Sequence, residues 1–207
     1  YDIVLNKAMK ITKIREKTAQ YIEKELLAIL FDLELSKTNF KVAFSRDLLN
    51  DHKNSSLFTE NGIDEVDFLL TTNIGEPLKS LSKSASGGEM SRIMLGFKNL
   101  LTKSLGLSLI IFDEIDTGVS GYIANQVAKK MKEISSDTQV ICITHIPQVA
   151  SISDHHLRIS KSVEDNRTKA HVETLNGDFR VREIAEMISG EHITEATLQS
   201  AKELLMQ

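Results

Sequence analysis

Three short stretches carry residues whose types and spacing suit chemistry on a phosphate: SASGGE at 84–89, LIIFDEIDTGVSG at 109–121 and VICITHIPQVA at 140–150. In the first, Ser86, Gly87, Gly88 and Glu89 form S-x-x-E ahead of a helical pattern, so one reading is a capping box in which Ser86 and Glu89 satisfy donors of their own helix. That explains the serine and the glutamate. It leaves the glycine pair unexplained, since each glycine costs a helix about 1 kcal/mol relative to alanine. Two missing Cβ atoms at a helix amino terminus let an anion approach the free N–H groups, where the positive end of the helix dipole lies. A phosphate fits there, and the Ser86 hydroxyl can accept from its own helix and still donate to it.

The second stretch is an apolar strand ending in Asp113 and Glu114. Ligands of open α/β sheets bind at such strand ends. Adjacent carboxylates there can divide the work: one holds Mg²⁺ through its water shell while the next orients or deprotonates an attacking water. The competing reading is a solvated turn. Asp116 and Gly118 continue into a loop long enough to reach a partner. The third stretch ends a strand with Thr144 and His145. A histidine at that point suits a hydrogen bond to a phosphate or to the attacking water. Alone it reads as a structural histidine; its strand follows the Asp-Glu strand in sequence, which favours the functional reading. The remaining histidines, His155 and His156 among them, lack metal-ligand spacing and read as structural or solvated. No glycine in the chain is followed by lysine, so the G-x-x-x-x-G-K-[ST] loop that cradles nucleotide phosphates does not occur in it.

The elements that must position these residues are legible from periodicity. A 3-4 spacing runs through Leu5, Ala8, Thr12, Arg15, Ala19, Ile22, Leu26, Ile29 and Leu33, with polar interruptions at Thr12 and Arg15. It predicts one helix of some 30 residues with a coiled-coil seam, the alternative being a long helix within a bundle. Strand patterns follow at 40–44, 66–72, 107–112, 138–144, 156–160 and 171–175, and helical patterns at 86–105 and 120–135. The nearly continuous apolar runs at 107–112 and 138–144 predict parallel strands covered on both faces by helices, in a βαβ arrangement. The polar KSVEDNRTK between the last two strands predicts an antiparallel hairpin with a mobile tip. Helices at 179–189 and 193–205 close the chain across Gly190.

Composition sets bounds on this reading. With 207 residues, 41% of them hydrophobic, the chain can bury one sizeable core. A net charge of -4 gives no global footprint for nucleic acid or an anionic membrane, so such contacts must be local. The single cysteine, Cys142, excludes an intrachain disulfide and reads as a strand residue, which fits a reducing cytosol. No apolar run reaches the length of a membrane span, and no membrane partner is expected. Tyr1 in place of methionine, followed at once by helical periodicity, leads us to expect a chain that begins inside a longer protein.

These stretches in this order resemble the C-terminal half of an ABC-type ATPase head of the SMC and Rad50 class, in wording nearest its bacterial DNA-repair members. SASGGE looks like the signature motif, LIIFDE like the Walker B strand, DTGVSG like the D-loop, and His145 like the switch histidine. GEPLKSLSKSASGGEMSRIML, IFDEIDTGVSG, QVICITHIPQVA and AKELLMQ extend the likeness over about residues 70–207, while 1–69 match in kind only. The resemblance implies an α/β fold, the C-terminal lobe of a P-loop NTPase head, with a parallel-sheet core, flanking helices and a β-hairpin. It places a returning coiled-coil arm at 1–36 and the lobe at 37–207. It implies ATP and Mg²⁺, with Asp113 supporting the metal, Glu114 polarising the water and His145 meeting the γ-phosphate. Ser86, Gly87, Gly88 and Glu89 would serve the nucleotide on the opposite head, and Asp116 the seam between heads.

The implied partners are an N-terminal P-loop lobe of the same protein, a second head joined through sandwiched ATP, and DNA, as double-strand ends or single strands. The implied role is double-strand break repair and recombination in the cytoplasm, at the nucleoid. The GGE ending departs from the GGQ of transporters, and the missing P-loop argues against ATP binding by this chain alone. A transporter nucleotide-binding subunit and a non-catalytic dimerisation module are the competing functions. Lys98, Lys103, Lys129, Lys130 and Lys132 are the candidate DNA contacts, against the ordinary reading of solvated helix faces.

Overall fold

Residues 2–32 contain neither proline nor glycine and place an apolar side chain at nearly every third or fourth position, which is enough to form one unbroken helix. Helix α1 (Asp2–Asp32) buries Ala8, Thr12, Ala19, Leu26 and Leu30, the expected stripe. The structure, a computed structural model, describes residues 1–46, 58–83, 87–113, 115–116, 118–164 and 167–206. It divides into two units, Tyr1–Leu105 and Gly106–Gln207.

In the first unit, α1 is followed by β1 (Asn39–Ser45), β2 (Glu65–Thr71) and the two-residue β3 (Lys79–Ser80), an antiparallel sheet in that order. The β1–β2 register sets Phe40 opposite Leu70 and Val42 opposite Phe68. Leu26 and Leu30 of α1 join Leu35, Phe40, Leu70 and Ile93 in one buried cluster, with Ile22, Val42, Leu81 and Phe97 against it. Each fully buried leucine contributes about 1.5–3 kcal/mol. Phe40 meets Phe97 edge-on at 5.5 Å between ring centroids. Helix α2 (Gly87–Leu105) closes the unit against α1. Gly96 allows that approach: a Cβ there would lie 3.0 Å from Leu26 Cδ1 and 3.3 Å from Leu30 Cδ2.

The polar interruptions of the α1 stripe have a shared partner. Thr12 Oγ1 donates to both oxygens of Asp64 at 2.8 Å, Arg15 Nη1 to Asp64 Oδ2 at 3.1 Å, and Arg46 Nε to Asp64 Oδ1 at 2.8 Å. The Asp64 side chain is fully buried. Burial by itself would push its carboxyl up, but the hydrogen bonds from Thr12, Arg46 and Arg15 outweigh it and hold the group below the usual carboxylate range. A threonine and an arginine in an apolar seam therefore fasten the segment around Asp64 to the helix.

In the second unit, β4 (Leu109–Asp113) and β5 (Gln139–Ile143) pair in parallel, as the βαβ pattern predicts, with α3 (Gly121–Ser135) crossing between them. Ile110 and Phe112 of β4 are buried, whereas Leu109, Ile111, Ile141 and Ile143 are about half exposed among the described residues. Among the described residues, the expectation of cover on both faces is thus met on one side only. A five-residue helix α4 (Pro147–Ser151), unanticipated because one turn shows no periodicity, leads into the hairpin β6 (His156–Glu164) and β7 (Arg167–Leu175). The expected mobile tip falls partly on residues 165 and 166, outside the described residues. Helices α5 (Gly177–Ser189) and α6 (Glu195–Leu205) break at Gly190, where φ is +70°. Ala150, Ile184, Ala185 and Ala201 form the core that joins them to α4.

Candidate functional site

The sequence-predicted site residues fall into two groups, one in each unit. In the first unit, α2 begins at Gly87 and runs for 19 residues, so its first turn presents backbone donors without an intrahelical partner. Neither Gly87 nor Gly88 has a positive φ. Among the described residues, a Cβ built on Gly87 meets nothing within 4 Å, in contrast to Gly96. Neither backbone conformation nor packing against the described residues therefore calls for glycine at 87. Glu89 accepts a hydrogen bond from Thr72 Oγ1 at 3.0 Å, tying the first turn to the end of β2. Arg92 donates through Nε to the Gly88 carbonyl at 3.3 Å and through Nη1 to the Leu33 carbonyl at 2.9 Å, which fixes the same turn to the end of α1. Ser86 lies outside the described residues, and so does the capping box proposed for it.

In the second unit the parallel register aligns Asp113 with Ile143, so Asp113 and the Thr144–His145 pair emerge at one carboxyl edge of the sheet. Asp113 is exposed there; Glu114 lies outside the described residues. Asp116 turns back into the protein and is 1% exposed. Its Oδ2 accepts the Thr144 hydroxyl proton, and Thr144 Oγ1 in turn accepts the Ile146 N–H at 2.9 Å. His145 Nδ1 stands 3.7 Å from the same Oδ2, with the ring 75% exposed. The structure thus brings Asp116, Thr144 and His145 together; Thr144 is the member without a distinct role in the reading of the sequence. Its signal is the hydroxyl two residues before a free backbone N–H, a side-chain turn. Behind this edge, Arg180 Nη2 donates to the Ser151 carbonyl at 2.8 Å and the Ser153 carbonyl at 2.6 Å, capping α4.

Cys142, half-buried on β5, has its thiol pushed up to about 12 by burial and by the charges of Asp116 and Asp113. It is a poor nucleophile. His156 is held below its usual range by burial and by Arg180. No group of three or more His, Cys, Asp or Glu able to hold a metal occurs among the described residues. Mg²⁺ does not require one, because it is held by one or two carboxylates with phosphate and water completing the shell. An exposed carboxylate such as Asp113 fits that mode. Of the candidate DNA-contacting lysines, Lys130 is buried and pairs with Glu133 at 2.8 Å, and Lys132 pairs with Asp154 at 2.6 Å. No described helix is long and apolar enough to cross a membrane.

Comparison with known proteins decides the family. No protein-family model matches the chain. The DNA repair protein RecN of Bacillus subtilis is 43% identical over 97% of this chain, and RecN of Vibrio cholerae is 35% identical over all of it. The chain belongs to the RecN family. It spans about a third of those relatives, 36% of each. The fold is that of an SMC head: a Pyrococcus yayanosii Smc head domain with coiled coil and joint superposes with a TM-score of 0.62 at 19% identity, covering 86% of this chain and 31% of that one. A chain from work on ATP-driven dimerisation and DNA-stimulated activation of SMC ATPases gives 0.56 at 20% identity, covering 87% and 99%. The mixed fold with its parallel pair and hairpin is the C-terminal lobe of an ABC-type ATPase head.

Proposed function

We propose that this RecN segment is one half of a composite ATPase that acts in DNA double-strand break repair and recombination. The observation that carries the reading is the parallel pairing of β4 with β5, which sets Asp113 and His145 at one sheet edge, as hydrolysis at a strand-end site requires. When bound, Mg²⁺ would neutralise charge on the phosphates. Asp113 would hold it through water, Glu114 would orient the attacking water, and His145 would donate to the γ-phosphate. Asp116 would couple this edge to the seam between heads. Ser86 together with the first turn of α2, Gly87 to Glu89, would grip the triphosphate held by a second head, whose phosphates would meet N–H groups that no Cβ at Gly87 screens.

The principal phosphate grip would come from the P-loop lobe of the same protein. The half-exposed apolar face of Leu109, Ile111, Ile141 and Ile143 supports that lobe as its cover, since parallel strands this apolar bury both faces. The arm formed by α1 would pair as a coiled coil, and DNA would engage the closed dimer in the cytoplasm, at the nucleoid. Combining this segment with its P-loop half is expected to give ATP hydrolysis. Glu114→Gln is expected to abolish turnover while ATP-dependent dimerisation persists. A full protein that hydrolyses no ATP would remove the reading, and a membrane partner required for turnover would favour the transporter alternative instead.

A further inference from the structure

One hydroxyl links the two functional loops of the second unit. Thr144 follows β5 directly, and its Oγ1 accepts from Ile146 N–H while donating to Asp116 Oδ2. That acceptor is buried, and among the described residues its other oxygen has no hydrogen-bond partner and no other side chain donates to it. With Asp116 rotation restrained in this way, Oδ2 faces Nδ1 of His145 at 3.7 Å. This is just outside hydrogen-bond distance, and a small rotation of the exposed ring closes the gap. A proton shared with a carboxylate sits on Nδ1, which leaves Nε2 facing outward as the working nitrogen.

We infer that Thr144 is a positioning residue: through Asp116 it fixes the tautomer and aim of His145, so that one hydroxyl ties the loop after β4 to the loop after β5. This rests on the ATPase reading for its consequence but not for its geometry. Thr144→Val keeps the shape and removes both the donor to Asp116 and the acceptor for Ile146 N–H. Thr144→Ser keeps the donor and removes the methyl.

The test is made in the full RecN protein that carries this segment, by two readouts. The first is the imidazole ¹⁵N spectrum of His145. Wild type and Thr144→Ser are expected to show the proton on Nδ1, and Thr144→Val to lose that signature. The second is steady-state turnover. Thr144→Val is expected to lower kcat by about 10- to 100-fold, the range for a misaimed catalytic group, with KM for ATP within about twofold of wild type. Thr144→Ser should restore it. In a double-mutant cycle, Asp116→Ala should add little to Thr144→Val, because both sever the same link from Thr144 through residue 116 to His145. An unchanged His145 spectrum in Thr144→Val would overturn the inference. So would equal loss in the valine and serine variants, which would assign the effect to methyl packing. A wild-type protein without ATPase activity would defeat the functional reading alone, leaving the tautomer comparison to decide this one.

Discussion

Gly87→Ala should move stability and function in opposite directions. The position is helical, has no positive φ, and a Cβ there touches nothing within 4 Å among the described residues. An unstrained Gly→Ala replacement stabilises by about 0.4–1 kcal/mol, chiefly by narrowing the unfolded ensemble. The added methyl projects from the turn whose N–H groups would hold the neighbouring head's phosphate. Displacing the anion by even 1 Å takes an N–H···O contact beyond hydrogen-bond length. Losing one charge-assisted bond of about 1.5–3 kcal/mol weakens ATP-dependent dimerisation by about 10- to 150-fold. Equilibrium urea unfolding and analytical ultracentrifugation with and without ATP measure the two effects in the full protein. A variant that dimerises and turns over normally would refute the argument, as would one that is less stable than wild type.

Three further outcomes follow from the packing. Gly96→Ala should instead destabilise, by about 1–2 kcal/mol net of the helix-propensity gain, because its Cβ presses on Leu26 and Leu30, both fully buried; the urea midpoint reads this. Asp64→Asn should lower stability at pH 7 by about 2–4 kcal/mol, by breaking a buried carboxylate away from Thr12, Arg15 and Arg46. Because the folded carboxyl is held below its unfolded value, this contribution is present above about pH 4 and fades as pH falls through the lower folded value, so wild type and variant should converge in acid. Cys142, pushed up to about 12, should react with iodoacetamide at pH 8 about 10³-fold more slowly than a free thiol, with unfolding restoring the ordinary rate.

Much of this architecture is readable because burial imposes period. The α1 stripe predicted the helix, and the apolar runs ending at Phe112 and Thr144 predicted the parallel pair. What periodicity cannot carry is a contact between distant segments. Thr12 and Arg15 are visible as polar breaks in a seam, but nothing local reveals that Asp64, 52 residues on from Thr12, is their partner. The two-residue β3 and one-turn α4 are too short to repeat; α4 offered only the proline at its first position. In the candidate site, Asp113, Asp116 and His145 are marked by charge at strand ends, whereas the pairing of Thr144 with Asp116 is set by the register of β4 on β5. The glycine pair was visible as a cost to the helix, and among the described residues nothing within 4 Å of a Cβ at Gly87 calls for the missing side chain there.

The central claim, that the glycine-fronted helix serves the nucleotide of a neighbouring head, is tested most directly by mixing two inactive proteins. One carries Gly87→Ala, the other Glu114→Gln. If the glycines act on the opposite head, each mixed dimer holds one site free of both lesions, and a statistical 1:1 mixture should recover about a quarter of wild-type hydrolysis. If they act within their own head, every site carries a lesion and the mixture stays as inactive as its parts, contradicting the account.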